Sequence, residues 1–370
     1  MTARHDYDLV IVGGGVVGAW ALYLATTRHP ERSTLLIERS IIGGGATAHS
    51  AGVLLETGAT AWQRELAGMS GALYSEADRA LGSPIAPVRA LWIVANDILD
   101  RVRAAAVGFE LSAVGPDDRA QLDRALPAVR IGHDESVLAG GTPRCYEPGD
   151  TTREIVARAR RASGAACWEG AEVTSMRPGP DCVVVTLRDG TAVRAARAIA
   201  AVGPWVLDGP TAGLAKQRGI RIKKVVALHL DVEPPPQAPA VFLPQADAYL
   251  MPLPHRRQWL FSFRSTVWDV APRSSELAIA DVDRDTAGAV LERYVPGMMR
   301  WCRGGRVFCD AYTPSGDPVV ACDPASSRLV TAGAGGGAGF RLGPGIAAKA
   351  LDMLEAAPPT TMRADTGGVR

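Results

Sequence analysis

The chain has 370 residues, of which 47% are hydrophobic and 21% charged, and its formal net charge is +1. These proportions are those of an ordinary globular protein with room for a large core, built as one large domain or two intertwined ones. The near-neutral charge argues against a nucleic acid or another polyanion as partner.

The cysteines and the chain ends set further limits. The six cysteines show neither C-x-x-C pairs nor Cys/His ligand spacing, so we expect no metal site and a reducing, cytoplasmic location. The N-terminal residues lead directly into the first predicted strand, and no apolar run reaches the length of a membrane span. We therefore expect neither a cleavable signal nor a transmembrane helix. Residues 357–370 are rich in Pro, Thr and Gly and predict a flexible tail.

The first motif joins a short strand to a helix. Residues 9–12 are an apolar run, and Gly13, Gly15 and Gly18 follow with G-x-G-x-x-G spacing. Such glycines permit a tight turn, close approach of the backbone to a pyrophosphate, and close packing of the helix on the strand. Glu38 ends the next apolar run, where a carboxylate can accept hydrogen bonds from a ribose 2′-hydroxyl. The pattern predicts a dinucleotide-binding βαβ unit with the phosphates at the helix N-terminus.

Periodicity predicts several elements further along the chain. Apolar residues at helical spacing predict a helix over 61–81, and a second helix is expected over 285–295. Alternation over 220–230 predicts a strand. Two apolar runs, at 248–253 and 259–264, flank a turn and predict paired strands.

Four later segments carry a resemblance to a known family. Residues 43–52 have the pattern G-x-x-x-T-x-x-S-A-G, and residues 201–205 read Ala-Val-Gly-Pro-Trp after an apolar strand. Residues 313–318 read Thr-Pro-Ser-Gly-Asp-Pro, and residues 337–341 read Gly-Ala-Gly-Phe-Arg. With the opening glycines, these segments resemble the FAD-dependent amino acid oxidases, a family that includes glycine oxidase, monomeric sarcosine oxidase and D-amino acid oxidase. The resemblance covers residues 8–354.

The resemblance implies a mixed α/β fold of α+β character, with a Rossmann-like FAD-binding domain and an interleaved antiparallel-sheet substrate domain. The FAD-binding domain would comprise residues 1–86, 142–216 and 318–356, and the substrate-binding domain residues 87–141 and 217–317. The implied cofactor is FAD. The residues expected to contact it are Gly13, Gly15, Val16, Val17, Gly18, Glu38, Arg39, Thr47, Ala48, His49, Ser50, Ala51, Gly52, Val173, Gly203, Trp205, Gly337, Ala338, Gly339, Phe340 and Arg341.

Four residues are expected on the substrate side by the same resemblance. His49 lies nearest the isoalloxazine or is a structural histidine with its hydrogen bonds satisfied. Tyr249 would point at the substrate. Arg264 is either a polar active-site group or an exposed charge at a strand end. Arg341 occupies the position where sarcosine-oxidase-like members hold a substrate carboxylate with Lys, and the alternative is a phosphate or surface contact.

The chain departs from the family pattern at three points. Glycine and D-amino acid oxidases carry an Arg where this chain has Asp310, which either pairs with a cationic substrate arm or faces away. Residues 259–263 lack the Lys that assists oxygen in sarcosine oxidases, so the acceptor is either oxygen or another compound. Cys309 is one residue away from the position of the covalent flavin cysteine, and we therefore predict non-covalent FAD.

The resemblance implies an enzyme that oxidises the C–N bond of a primary or secondary amine, with an amino acid as the expected substrate. Hydride transfer to flavin N5 would give an imine that water hydrolyses. Two alternatives remain open, namely an FAD-dependent dehydrogenase of an α-hydroxy acid and the FAD-binding subunit of a larger dehydrogenase complex. The sequence does not indicate an oligomeric state.

Overall fold

Two eight-stranded sheets form the framework of the protein. The computed structural model describes residues 6–81, 87–273 and 277–356. The tail predicted to be flexible, at 357–370, lies outside the described residues.

The first sheet is mainly parallel and contains the opening βαβ unit. Its strands are β1 (Tyr7–Val12), β2 (Thr34–Ile37), β8 (Ala166–Trp168), β9 (Val173–Pro178), β10 (Val183–Leu187), β11 (Ala192–Ala200), β17 (Val319–Asp323) and β18 (Ser326–Gly333). The strand order is β17-β18-β11-β1-β2-β8, and β10 and β9 continue from β11 as antiparallel neighbours. Val12 pairs with Ala200, so the carboxyl ends of β1 and β11 lie side by side.

The second sheet is mainly antiparallel. Its strands are β4 (Ala90–Ala95), β5 (Ser112–Ala113), β6 (Glu135–Ala139), β12 (Arg221–Leu230), β13 (Ala240–Leu243), β14 (Ala248–Leu253), β15 (Gln258–Phe263) and β16 (Cys302–Tyr312). The strand order is β16-β12-β15-β14-β13-β4-β6-β5. Two short strands, β3 (Val53–Leu54) and β7 (Arg144–Cys145), pair with each other outside both sheets.

The two sheets together confirm the predicted mixed α/β fold class. The strands of the first sheet fall within 1–86, 142–216 and 318–356, and those of the second within 87–141 and 217–317. The domain boundaries themselves stay a prediction.

In the part of the chain that the structure describes, the α-helices are α1 (Val16–Arg28), α2 (Ala46–His49), α3 (Ala61–Leu81), α4 (Leu99–Ala105), α5 (Pro116–Ala125), α6 (Pro148–Ser163), α7 (Ala212–Gln217), α8 (Asp281–Tyr294) and α9 (Gly339–Ala356). Four of these helices cover one face of the first sheet. Side chains of α1, α3, α6 and α9 form one core with this sheet, in which Trp20 is fully buried. On the opposite face, Val10 and Leu35 pack with side chains of β9 and β10. Because β1 is buried on both faces, its sequence is an unbroken apolar run.

The element predictions agree with the structure except at one helix start. The helix predicted over 61–81 is confirmed. The helix predicted over 285–295 begins four residues earlier, as α8. The reason is a cap, because the Asp283 carboxylate accepts a hydrogen bond from the Ala280 backbone N–H at 2.8 Å. The polar first turn hides this start from a periodicity argument.

Several properties concern the whole described part of the chain. None of its helices has the combined length and apolar character needed to cross a membrane. Its His, Cys, Asp and Glu side chains form no cluster of three or more that could hold a metal ion. All six cysteines lie within it and are free thiols.

A buried ion pair ties α8 to the second sheet. Lys224 on β12 donates to Asp283 at 2.6 Å, and the two side chains are only 3% and 2% exposed. The same oxygen, Oδ2, also accepts the N–H bond that caps α8, so one carboxylate oxygen joins the helix start to the sheet. Removing one member of such a pair leaves a buried charge without a partner, which is far more costly than removing both.

We predict that Lys224→Met lowers the free energy of unfolding by about 3–5 kcal/mol, because the Asp283 carboxylate is left buried without its partner. Urea unfolding measures the change. The double variant K224M/D283L should lose much less than the sum of the two single variants. Additive losses in the two single variants would contradict an energetically coupled pair.

Candidate active site

The glycine-rich turn after β1 is closely packed against its neighbours. Gly13 has a φ of +107°, and a Cβ there would lie 2.3 Å from the Ala201 carbonyl oxygen at the end of β11. A Cβ on Gly18 would lie 1.9 Å from the Gly13 carbonyl oxygen. A Cβ on Gly15 would lie 3.2 Å from the Thr47 hydroxyl. Side chains at 13 and 18 would therefore push α1 away from the sheet.

Glu38 lies against the same turn. Its carboxylate accepts hydrogen bonds from the Gly14 N–H at 2.7 Å and the Ser40 N–H at 2.8 Å. Burial raises the pKa of this carboxyl, and the two backbone hydrogen bonds oppose that shift. The strand β9, which begins at Val173, is close by, because the Ala171 N–H donates to the Glu38 carbonyl oxygen at 2.9 Å.

The segment around α2 joins the glycine turn to the second sheet. The buried Thr47 hydroxyl accepts a hydrogen bond from the Val16 N–H at 3.0 Å, at the start of α1. The His49 ring stacks on Phe308 of β16 with 4.8 Å between centroids and 4° between planes. Arg306 of the same strand donates to the Ser50 carbonyl oxygen at 2.7 Å. Burial, and then Arg306, lower the pKa of His49.

Another glycine-rich segment follows β18. Gly336 and Gly337 have positive φ angles of 59° and 81°. The Asp310 carboxylate accepts hydrogen bonds from the Gly337 N–H and the Ala311 N–H, both at 2.8 Å. Burial raises the pKa of Asp310, and these hydrogen bonds oppose the shift. The sequence left two roles open for Asp310, namely pairing with a cationic substrate arm or facing away. The structure shows a different one, because the carboxylate holds the glycine segment in place.

The start of α9 is held by α3. Pro344 lies inside α9 and has no N–H for the Phe340 carbonyl, four residues before it. The fully buried Tyr74 hydroxyl donates to that carbonyl at 2.9 Å instead. The next amide, Gly345 N–H, donates to the Ser70 hydroxyl at 2.9 Å. These bonds fix the position from which Arg341 extends.

These segments surround one cavity of about 530 Å³. Of the residues expected to bind FAD or substrate, the structure places the following on its wall: Gly15, Val16, Val17, Thr47, His49, Ser50, Ala51, Gly203, Tyr249, Arg264, Gly337, Ala338, Gly339, Phe340 and Arg341. The remaining expected residues do not line it: Gly13, Gly18, Glu38, Arg39, Ala48, Gly52, Val173 and Trp205. Gly13, Gly18 and Glu38 shape the adjoining turn. The Arg39 guanidinium stacks on the Trp205 ring at 4.7 Å.

Aromatic rings and one guanidinium form the inner wall of the cavity. Trp92 and Phe242 are stacked at 4.4 Å, and Phe242 lies 5.6 Å from Tyr249. Burial raises the pKa of Tyr249 to about 12, so its hydroxyl stays protonated at neutral pH. The Arg341 Nη1 donates to the Thr57 hydroxyl, while its Nε is buried without a partner among the described residues.

Several cavity residues were missed by the sequence analysis. Lys223, Asp247, Arg306, Trp92 and Phe242 all line the wall. They come from four different strands and one turn, and none belongs to a contiguous motif. For Lys223 a signal existed, because a lysine within an apolar, alternating strand is an unusual occupant of a core position.

Comparison with known proteins assigns the family. Residues 8–353 match the family model described as "DAO: FAD dependent oxidoreductase". The chain therefore belongs to the FAD-dependent oxidoreductases of this family, and its cofactor is FAD. No curated protein sequence matches the chain at a significant level.

Solved structures share the fold at low sequence identity. Glycine oxidase from Geobacillus kaustophilus is 18% identical with a TM-score of 0.75, and the match covers 96% of each chain. L-proline dehydrogenase from P. horikoshii is 16% identical with a TM-score of 0.78, covering 95% of this chain and 94% of that chain. L-amino acid deaminase from Proteus vulgaris is 15% identical with a TM-score of 0.73, covering 98% and 93% respectively.

The residues present fit FAD. The N-cap of α1 is a glycine, so no capping side chain covers the helix start, where an anion can approach beside the Thr47 hydroxyl that is bonded to the Val16 N–H. Glu38 lies beside it as an acceptor for ribose hydroxyls.

We predict that Gly18→Ala weakens FAD binding about tenfold or more, which corresponds to about 1.4 kcal/mol or more, because its Cβ displaces α1 from the turn. Titration of apoprotein with FAD, followed by flavin fluorescence, measures the change. Gly213→Ala in α7 is the matched control, since a Cβ there meets nothing within 4 Å. Equal FAD affinities for the two variants would refute the packing role.

Proposed function

We propose that the protein oxidises the C–N bond of an amino acid, and that Arg341 holds the substrate carboxylate. The observation that carries this proposal is the environment of Arg341. Its guanidinium lines the cavity, makes one hydrogen bond to the neutral Thr57 hydroxyl, and forms no ion pair with a described carboxylate. Burial lowers its pKa, with Tyr249, Glu56 and Asp247 acting in the opposite direction.

The guanidinium of Arg341 is half-buried, and holding such a group without a counter-ion is costly. Its planar fork of N–H donors matches a carboxylate in two parallel hydrogen bonds. An anionic ligand would therefore supply both the missing charge and the missing acceptor for Nε. The hydroxyl of Tyr249, which stays protonated, lies on the same wall and can donate a further hydrogen bond.

The aromatic wall suits the carbon atoms of an amino acid substrate. Trp92, Phe242 and Tyr249 exclude water and leave an apolar surface for the substrate carbon atoms. When bound, FAD supplies the redox chemistry by accepting a hydride from the substrate carbon. The substrate nitrogen must then be neutral, and the resulting imine is hydrolysed by water. The neutral imidazole of His49, whose pKa is lowered, can accept a hydrogen bond in the same cavity.

The structural relatives support an amine rather than an alcohol. The three named above are a glycine oxidase, an L-proline dehydrogenase and an L-amino acid deaminase, so each is named for an amino acid. An oxidase and a dehydrogenase both occur among them.

We predict that Arg341→Met raises the KM for an amino acid substrate about 10- to 100-fold, because charge-assisted hydrogen bonds contribute about 1.5–3 kcal/mol. Arg341→Lys should retain part of the affinity. The exposed Arg124 on α5 provides the control variant R124M. A KM for R341M within twofold of the unaltered enzyme would show that Arg341 does not bind substrate.

The reaction class can be tested without knowing the substrate. Under anaerobic conditions, the flavin absorbance of the holoenzyme should bleach with a pool of amino acids and secondary amines. A pool of α-hydroxy acids should leave the absorbance unchanged. Bleaching by the hydroxy acids alone would overturn the proposal in favour of a hydroxy acid dehydrogenase.

The purified chain should also turn over its substrate with an artificial dye as the electron acceptor. A chain that is only the FAD-binding subunit of a larger complex would not do so.

We also predict that acid or heat denaturation releases all of the flavin into solution. Cys309, the cysteine nearest the family's position of covalent attachment, is 1% exposed, and burial raises its pKa to about 12. A protonated, buried thiol is a poor nucleophile. Flavin absorbance that remains with the precipitated protein, and is lost in C309S, would show a covalent bond.

A further inference from the structure

A second cation reaches the cavity without a partner. Lys223 on β12 is 6% exposed and lines the cavity. Its ammonium lies over the ring faces of Tyr312 at 5.2 Å and Trp268 at 5.4 Å. It forms no ion pair with a carboxylate of the described residues. The neighbouring Lys224 shows the contrast, because it is equally buried but is paired with Asp283.

The ring faces do not satisfy this group. An ammonium has three N–H donors, and aromatic faces attract its charge without replacing the oxygen acceptors it had in water. Burial is the main cause that lowers the pKa of Lys223, and Asp247 opposes it. The Lys223 ammonium has no oxygen acceptor among the described residues, and it lines the cavity, where an acceptor can enter.

The surroundings of Lys223 favour a negatively charged acceptor. Arg264, which has no ion-pair partner among the described residues, lines the same part of the cavity and acts on Lys223 as a like charge. Two carboxylates, Asp247 and Asp310, also line the cavity. They offset only part of the charge of the four cations on the wall that form no ion pair with a described residue: Lys223, Arg264, Arg306 and Arg341. Lys223, Asp247 and Arg341 all line this one cavity.

We propose that Lys223 binds a second carboxylate of the substrate, so that the enzyme acts on an amino acid with an additional acidic group. The inference rests on the proposed function, in which Arg341 holds the first carboxylate. Arg264 contributes to the field around the second carboxylate. The two cations then set the length of the substrate, because one molecule in the cavity must reach both of them.

Competitive ligands test the inference without the natural substrate. The probes are succinate, glutarate and adipate, each compared with the monocarboxylate of equal length: butyrate, valerate and hexanoate. Dissociation constants come from the perturbation of flavin absorbance in the holoenzyme, and from the shift in melting temperature as a second readout. For the best length, the dicarboxylate should bind at least tenfold more tightly than its monocarboxylate, a difference of about 1.4 kcal/mol.

Variants assign that preference to one residue. Lys223→Met should reduce the ratio of dicarboxylate to monocarboxylate affinity to within twofold. K223R should keep most of the preference. The exposed Lys216 on α7 gives the control variant K216M, which should behave like the unaltered enzyme.

The possible failures are distinguishable. No preference for any dicarboxylate in the unaltered enzyme, or an unchanged preference in K223M, would overturn the second carboxylate site. Arg341→Met should weaken monocarboxylates and dicarboxylates alike. If R341M binds monocarboxylates as well as the unaltered enzyme does, the proposed carboxylate anchor is wrong, whatever the result for Lys223.

Discussion

The close approach of α1 to the carboxyl ends of β1 and β11 is the constraint on which the site depends. The approach is possible because Gly13 and Gly18 have no side chain where the Ala201 and Gly13 carbonyl oxygens lie. It brings the N-terminal amides of α1 within reach of Glu38 and Thr47, through the Gly14 and Val16 N–H groups. Two segments that are distant in sequence are thereby fixed around one turn.

The opposite side of the cavity depends on a different device. Pro344 interrupts the hydrogen bonds of α9, and α3 supplies the missing donor through Tyr74. The Asp310 carboxylate holds the preceding glycine segment through Gly337. Arg341 thus extends from a helix start whose backbone is fixed from two directions, which is the condition for a side chain that positions a substrate.

The buried and half-buried cations of this chain differ in whether a carboxylate of the protein neutralises them. Lys224 and Asp283 neutralise each other inside the protein and stabilise the fold. Lys223 is buried and Arg341 half-buried at the cavity wall, and both have neutral partners only. A fold tolerates such groups when a ligand compensates their charge. This difference is why we assign Lys223 and Arg341, but not Lys224, to substrate binding.

The sequence was sufficient for the parts of the site that are contiguous. The opening glycines, the segment at 43–52 and the loop at 337–341 each combine a turn with a helix start, so their local pattern predicts their conformation. The role of Asp310 was not predictable, since it rests on a bond to an amide 27 residues away. The carbonyl that Tyr74 satisfies is 266 residues away. Lys223 and Asp247 line one cavity only because the strand order β12-β15-β14-β13 places the start of β12 on the same side as the β13–β14 turn.

The central claim is that a carboxylate-bearing amine is held by Arg341 and oxidised at its C–N bond. The most direct measurement is the anaerobic rate of flavin reduction by an amino acid, compared with the rate for the corresponding carboxamide. The account predicts at least about tenfold faster reduction per unit concentration by the amino acid, because only its carboxylate can form the charged pair. Equal rates for the acid and the amide would contradict it.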